Sequence, residues 1–129
     1  MFTQKCFIRK NTPELVKRLE ELGYKASFSA RNWYGEYLYA FNGIVVGGEY
    51  NAYYERSGFI DCKESEELFI AIASIRDDSD KFQYFTNGVF WIKCSQLELK
   101  HELDNNYEEF CVADFHKATV QELIEHFNK

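Results

Sequence analysis

The feature that most constrains the fold is an Asn-Gly pair at residues 42–43, which lies between two short apolar runs. Residues 37–41 carry three aromatic side chains at alternate positions, and Ile-Val-Val follows at residues 44–46. Asn and Gly readily adopt the positive φ angles that a type I′ turn requires at both central positions, and this turn joins antiparallel strands. The sequence therefore predicts a β-hairpin, weakened or bulged at Gly47 and Gly48, with the following tyrosines continuing the sheet or forming its exit.

A second Asn-Gly pair, at residues 87–88, is also flanked by aromatic and β-branched residues. A two-residue turn at this pair would place Phe85 opposite Phe90 and Tyr84 opposite Trp91. Both faces of the hairpin would then be apolar. We therefore expect this second hairpin to lie centrally in the fold.

Three segments combine helical periodicity with a recognisable N-terminal signal. Residues 12–23 begin with Thr-Pro, continue with leucines at helical spacing and end at a glycine. Residues 65–76 begin with Ser and two Glu and are so apolar that we expect the more buried helix here. The third segment runs to residue 127, and Thr119 with Glu122 forms a capping box at its start.

Together these elements predict one α+β domain over residues 1–129, with a mainly antiparallel sheet, two Asn-Gly hairpins and about three helices packed against it. Residues 3–9 and 110–115 are predicted as further strands, and residues 96–103 fit a helix or a strand equally well. A chain of 129 residues has the usual length of a single domain.

Charge and apolar run length restrict the classes of partner. The formal net charge is −6, and residues 58–129 hold 7 basic and 15 acidic side chains, so 7 − 15 = −8. This balance disfavours general nucleic-acid binding, which depends on basic side chains that neutralise phosphates. No apolar run reaches the roughly 18 residues of a membrane span, and the N-terminus does not resemble an export signal. We therefore expect a cytoplasmic protein whose four cysteines are free thiols.

Aromatic residues make up 18% of the chain, and many of them lie in residues 32–54. One face of an antiparallel sheet packs on helices, so alternation leaves some of these rings on the other face. Exposed Tyr and Trp anchor partners or stacked planar ligands, and neighbouring arginines favour an anionic or aromatic small molecule. The competing interpretation is that these rings close a small core with their hydroxyls at its rim. The candidate ligand-binding residues are Arg31, Trp33, Tyr34, Tyr37, Tyr39, Tyr53, Tyr54 and Arg56.

No catalytic, metal-binding or cofactor-binding motif is complete in this sequence. The cysteines are too far apart for the paired ligands of a structural zinc site. An enzyme would have to use Cys62 with His101 or His116 as its base, or the acidic turn at residues 77–80. Asp61 beside Cys62 would raise the pKa of that thiol, and the turn lacks the spacing of a calcium loop. We therefore expect a protein without cofactor or metal, more consistent with binding than with catalysis.

Two runs carry a resemblance to known proteins. The first spans residues 67–86, with Leu-Phe-Ile-Ala-Ile-Ala-Ser-Ile-Arg-Asp-Asp-Ser-Asp followed by the start of the second aromatic hairpin. The second, residues 117–127, reads Lys-Ala-Thr-Val-Gln-Glu-Leu-Ile-Glu-His-Phe. Both runs resemble small uncharacterised proteins of phage and other mobile elements. The resemblance implies a mobile-element context and no particular activity.

Three function classes follow from the sequence. The leading hypothesis is a non-catalytic protein that holds a protein or small-molecule ligand on its aromatic sheet, as an accessory factor of a mobile element. The second is a small hydrolase or transferase that uses Cys62 or the acidic turn with a histidine. The third is an acidic nucleic-acid mimic. The first requires several of the candidate rings to share a solvent-exposed patch.

Overall fold

The computed structural model describes residues 2–33, 35–77, 83–89, 91–93 and 116–127. These residues form helices and strands in a single α+β arrangement with a five-stranded and a three-stranded sheet. The strands are β1 Cys6–Ile8, β2 Lys25–Ala26, β3 Tyr37–Phe41, β4 Ile44–Gly48, β5 Ile60–Asp61, β6 Tyr84–Thr86, β7 Trp91–Lys93 and β8 His116–Lys117. The helices are α1 Pro13–Leu22, α2 Phe28–Asn32, α3 Ala52–Arg56, α4 Glu66–Ala73 and α5 Val120–Phe127.

The prediction of a mainly antiparallel sheet is confirmed in part, because the five-stranded sheet is mixed and the three-stranded sheet is antiparallel. The order of the five-stranded sheet is β2-β4-β3-β1-β5, with antiparallel pairing of β3 to both β4 and β1 and parallel pairing of β2 with β4 and of β1 with β5. Parallel pairing requires a crossover connection. The short helices α2 and α3 lie within these connections, and the sequence analysis predicted neither of them.

The Asn-Gly pair at residues 42–43 joins β3 to β4. Phe41 pairs with Ile44, and both turn residues have positive φ angles, 50° at Asn42 and 78° at Gly43, as a type I′ turn requires. Gly47 and Gly48 stay in register opposite Leu38 and Tyr37, so the expected bulge is absent from this strand pair.

The second hairpin has a different register from the one predicted. Thr86 pairs with Trp91 and Phe85 with Ile92, so four residues separate the strands, and the predicted Tyr84–Trp91 pair is wrong. Of the two turn residues, only Gly88 has a positive φ angle, 99°. The side chains instead stabilise a longer loop, because Thr86 Oγ1 accepts from Gly88 N at 2.9 Å and Asn87 Oδ1 accepts from Val89 N at 3.0 Å. Phe90 lies outside the described residues. β6 is the central strand of the three-stranded sheet, between β7 and β8.

The three helices predicted from local signals are confirmed. Thr12 Oγ1 caps α1 by accepting from Leu15 N at 3.2 Å, and Gly23 ends it with a φ of 118°. α4 is the more buried helix, as expected, because every residue from Leu68 to its end is buried. It ends at Ala73, before the predicted end near residue 76.

The predicted capping box at the start of α5 is also confirmed. Thr119 Oγ1 accepts from Glu122 N at 3.2 Å, and Glu122 Oε1 accepts from Thr119 N at 2.9 Å. The bond from Thr119 N is the main cause of a lowered Glu122 pKa, and His116 Nε2 contacts the same carboxylate at 2.9 Å. The ionised carboxylate therefore links β8 to the first turn of α5.

Alternation along the strands separates two faces of the five-stranded sheet. Cys6 and Ile8 of β1 and Leu38 and Ala40 of β3 are fully buried and belong to the core shared with α1 and α4. Because successive side chains point to opposite faces, Phe7 and the aromatic residues of β3 lie on the other face. α2 packs on the helix-covered face across β4. Helices α1, α2 and α4 therefore do not cover the second face, which is available to the segment that follows β4.

Candidate functional site

On the face of the sheet opposite α1 and α4, strands β1 and β3 present aromatic rings. Phe7 of β1 contacts Tyr37 and Tyr39 of β3, with centroid distances of 6.1 and 5.5 Å. The segment after β4 returns across this face and adds more rings. We call the set the aromatic face, and its members are Phe7, Tyr37, Tyr39, Phe41, Tyr50, Tyr53, Tyr54 and Phe59.

Helix α3 fixes the part of this segment that lies over β3. Asn51 Oδ1 accepts from Tyr53 N at 2.9 Å and caps the helix, and the ring of Tyr54 stacks on Tyr39 at 4.1 Å. Phe59 then packs edge-on against Tyr54 at 4.8 Å. Tyr53 and Tyr54 are thus helical, because an Asx cap starts a helix here. Of the two predicted alternatives, continuation of the sheet is wrong, and an exit from the sheet fits their position after β4.

This packing divides the predicted site residues by exposure. Tyr39 is 2% exposed, and its hydroxyl donates to the carbonyl of Glu49 at 2.9 Å. Burial raises the pKa of Tyr39 to about 12. Tyr39 is therefore a core residue, as the competing interpretation of the sequence expected.

Other tyrosines of the aromatic face reach solvent. Tyr50 is 46% exposed and Tyr53 is 59% exposed, whereas Tyr37 and Tyr54 are half-buried. A series of ring contacts joins them through Tyr39, with Tyr50 to Tyr37 at 5.6 Å and Tyr53 to Tyr54 at 5.7 Å. We call Tyr37, Tyr50, Tyr53 and Tyr54 the tyrosine corner. Of these four rings, Tyr53 is exposed and was named as a candidate from the sequence, and Tyr50 adds a second exposed ring.

The polar groups around the tyrosine corner are held in place. Tyr50 donates its hydroxyl hydrogen to Glu55 Oε2 at 2.7 Å, which raises the pKa of Tyr50. Arg9, just after β1, donates from Nη2 to Asp61 Oδ2 at 2.6 Å, and this carboxylate raises the pKa of Arg9. The sequence analysis did not predict these contacts, because their partners are 5 and 52 residues apart and carry no motif.

The other predicted site residues lie elsewhere or outside the described chain. Arg31 pairs with Glu20 of α1 at 2.8 Å, which places it on the helix-covered side of the sheet. Trp33 ends α2, is 41% exposed, and its carbonyl accepts from Asn11 Nδ2 at 2.6 Å. Arg56 is exposed at the end of α3. Tyr34 lies outside the described residues.

Sequence reasoning missed several members of the aromatic face. Phe7 was recognised only as part of a first strand, and Phe59 was not considered. Phe7 alternates with the buried Cys6 and Ile8, and this alternation was the one signal that places it on the face opposite the helices. Nothing local to Phe59 predicts its contacts with Tyr39 and Tyr54.

The residues considered for catalysis are not arranged as an active site where they are described. Cys62 follows β5 and is 1% exposed, so its thiol has no access to solvent. His116 is engaged by Glu122, and His126 stacks on Trp91 with a centroid distance of 4.1 Å. Within the described ranges, no group of three His, Cys, Asp or Glu side chains could hold a metal ion. Cys94, Cys111, His101, residues 78–80 and the predicted elements at residues 96–103 and 110–115 lie outside the described residues.

No protein-family model matches this chain, and no curated protein or solved structure was found that matches it. In the part of the chain that the structure describes, no helix is both long and apolar enough to span a membrane. The geometry of the aromatic face is therefore the observation that bears on function.

A pH dependence follows from the burial of Tyr39. Because its pKa is about 12 in the folded chain and about 10 in an unfolded one, neutral Tyr39 stabilises the fold below about pH 10, and this contribution is lost as the pH rises through about 12. Tyr39→Phe loses the bond to Glu49, so we expect it to be less stable than the native chain by about 0.5–1.5 kcal/mol near pH 8. The deficit should shrink or reverse near pH 11. Urea unfolding at both pH values measures this, and an unchanged deficit would contradict it.

Proposed function

We propose that this chain is a non-catalytic binding protein that holds a partner against the tyrosine corner. The observation that supports this most directly is the exposure of Tyr50 and Tyr53, 46% and 59%, in a network of rings that are otherwise buried or half-buried.

The corner is also ordered in advance. Tyr50 is held by Glu55 through its hydroxyl and by Tyr37 through its ring, and Tyr53 lies in a capped helix next to Tyr54. A side chain that is already held loses little rotamer entropy when a partner binds. Tyrosine also offers a large ring together with a polar hydroxyl, which is why it is enriched among the residues that dominate binding energy.

The described residues support binding more than the catalytic alternative. Cys62 and Cys6 are both buried free thiols, and burial raises the pKa of Cys6 well above its usual value. A thiol without access to solvent is a poor nucleophile. Free thiols fit a reducing compartment, so we include a cytoplasmic location in the proposal. The resemblance of residues 67–86 and 117–127 to mobile-element proteins supports a role as an accessory factor of such an element.

Affinity capture with matched variants tests the proposal. The native chain, the double variant Tyr50→Ala/Tyr53→Ala and the control Phe28→Ala would each be immobilised and exposed to extract of the cells that carry the gene. Phe28 is 82% exposed on α2, at the helix-covered side, so its removal matches the loss of exposed aromatic area without touching the corner. We expect a partner that the native chain and Phe28→Ala retain and the double variant loses.

Two results would contradict this proposal. One is a partner that all three proteins retain equally, because binding would then not use the tyrosine corner. The other is a partner lost only from Phe28→Ala, because binding would then use the helix-covered side. Circular dichroism of each variant shows whether it is folded, and single variants at Tyr50 and Tyr53 replace the double variant if it is not.

A further inference from the structure

The two Asn-Gly pairs share a chemical reactivity that the binding function does not use. Because glycine has no side chain to shield its amide, the nitrogen of an Asn-Gly peptide bond can attack the side-chain carbonyl carbon of the preceding asparagine. The new N–Cγ bond forms as the Cγ–Nδ2 bond breaks, and ammonia leaves with the proton of the glycine amide. Water then opens the resulting succinimide to aspartate or to isoaspartate. The fold decides which pair can reach the geometry for this reaction.

The pair at residues 42–43 is held away from this geometry. Both residues have positive φ angles, and the pairing of Phe41 with Ile44 fixes the turn from both sides. The carbonyl of Gly43 also accepts from Lys25 N at 2.8 Å, which ties the turn to β2. The first central residue of a type I′ turn has a ψ angle of about +30°, which directs the following nitrogen away from its side chain. Attack on Asn42 therefore requires the hairpin of β3 and β4 to open.

The pair at residues 87–88 is arranged differently. Asn87 Oδ1 accepts from Val89 N at 3.0 Å, and the ring that this hydrogen bond closes contains both Asn87 Cγ and Gly88 N. The bond therefore holds the electrophilic carbon and the attacking nitrogen on the same side of the loop. The Val89 amide also donates to the oxygen on which negative charge develops during the attack, as the donors of an oxyanion hole do.

The hydroxyl of Thr86 completes this arrangement. Thr86 Oγ1 accepts from Gly88 N at 2.9 Å, so an acceptor already faces the proton that the attacking nitrogen must lose. Thr86 is fully buried and pairs with Trp91 at the base of the loop, which fixes its position. The loop itself is open, since Gly88 is exposed and a Cβ atom there would meet no atom of the described residues within 4 Å. Water can therefore reach the succinimide.

We propose that Asn87 is a site of self-catalysed modification, at which the chain converts its own asparagine to aspartate and isoaspartate. The substrate is the Asn87–Gly88 peptide unit, the co-reactant is water and the released product is ammonia. The modified loop gains a carboxylate, which adds one negative charge to a formal net charge of −6. Isoaspartate also routes the backbone through the side chain and so lengthens the loop between β6 and β7. This inference is independent of the tyrosine corner, which belongs to the five-stranded sheet.

Peptide mapping by mass spectrometry, after incubation of the purified chain at neutral pH, measures the reaction at both pairs. One sample is folded, and a second is unfolded in guanidinium chloride, where each pair has only its local sequence. A β-branched residue follows each pair, Ile44 or Val89, so we expect similar rates in the unfolded sample. In the folded chain we expect Asn87 to react at least about fivefold faster than Asn42, the factor that one neutral hydrogen bond to a reacting group can supply. Folded Asn87 should also react at least as fast as unfolded Asn87.

Matched variants test the roles of the hydroxyl and of the asparagine. Thr86→Val keeps the shape of the side chain and removes the acceptor, so it should slow modification of Asn87 roughly fivefold and leave Asn42 unchanged. Thr86→Ser keeps the hydroxyl and should retain most of the native rate. Asn87→Gln lengthens the side chain by one carbon, so the five-membered ring cannot form and isoaspartate cannot arise in the loop. Circular dichroism shows whether each variant is folded, and the comparison of folded with unfolded native chain needs no variant.

Four results would overturn the proposal. One is modification of folded Asn42 at a rate equal to or above that of Asn87. Another is a slower reaction of Asn87 in the folded chain than in the unfolded one, because Thr86 and Val89 would then protect the side chain instead of directing the attack. The third is aspartate at residue 87 without isoaspartate, which direct hydrolysis of the side-chain amide would explain. The last is an unchanged rate at Asn87 in folded Thr86→Val, because the hydroxyl would then take no part.

Discussion

Replacing Tyr39 with alanine is expected to lower the free energy of unfolding by about 3–5 kcal/mol, the usual cost of removing a buried aromatic ring. The ring is 2% exposed and contacts Phe7, Tyr37, Tyr54 and Phe59. It therefore lies between the strands of the sheet and the helix that covers them. Denaturant unfolding of the variant and of the native chain measures the difference.

The same substitution should loosen α3 more than the rest of the fold. Tyr54 loses the ring on which it stacks, so we expect the amides of Ala52–Arg56 to exchange hydrogen faster, while those of α1 follow the global stability. Tyr39→Phe is the control, because it keeps the ring and loses only the bond to Glu49. A loss under about 1 kcal/mol for Tyr39→Ala, or equal protection of α3 in both variants, would show that Tyr39 does not anchor this helix.

Gly47→Ala is expected to destabilise the fold by about 1–3 kcal/mol, the cost of overpacking a close contact. A Cβ atom at Gly47 would lie 2.7 Å from the carbonyl oxygen of Ser29 and 2.9 Å from Asn11 Nδ2. Both neighbours are constrained, since Ser29 Oγ accepts from Gly47 N and Asn11 Nδ2 donates to the carbonyls of Ala30 and Trp33. The added methyl group must therefore push α2 away from β4.

Gly48→Ala is the matched control for this prediction. No atom lies within 4 Å of a Cβ at Gly48, and its φ angle is not in the left-handed region. Alanine there restricts the unfolded chain, so we expect a stability gain of about 0.4–1 kcal/mol. Thermal unfolding of both variants measures whether stability falls for Gly47→Ala and rises for Gly48→Ala. A neutral Gly47→Ala variant would mean that α2 does not pack on β4 as closely as described.

Local chemistry explains why the longer helices could be predicted. α1, α4 and α5 each begin at a hydroxyl side chain that caps the first turn, and each has enough turns to show an apolar stripe. α2 and α3 have five residues each, which is too short for periodicity to be visible. Both helices lie within the longer connections between strands that pair in parallel, so the two parallel pairings of the five-stranded sheet could not be predicted without them.

The two Asn-Gly pairs show the limit of a dipeptide signal. At residues 42–43 both residues adopt positive φ angles, whereas Asn87 instead accepts a hydrogen bond from Val89 N and the loop lengthens to four residues. The pairing of Phe85 with Ile92 on one side and Lys117 on the other sets the register of β6. That pairing involves a strand 32 residues away, Phe85 to Lys117, which no local pattern contains.

For the candidate site, the sequence predicted the residue types and the tertiary structure selected among them. Alternation along β3 determined that Tyr37 and Tyr39 share one face of the sheet, because successive strand residues point to opposite sides. Only the folding of α3 and Phe59 back across that face decided that Tyr39 is buried and Tyr53 exposed, since this depends on contacts between rings far apart in the chain. The same holds for Arg31. Its position beside the aromatic segment suggested that it belongs to the site, but its ion pair with Glu20 places it on the other side of the sheet.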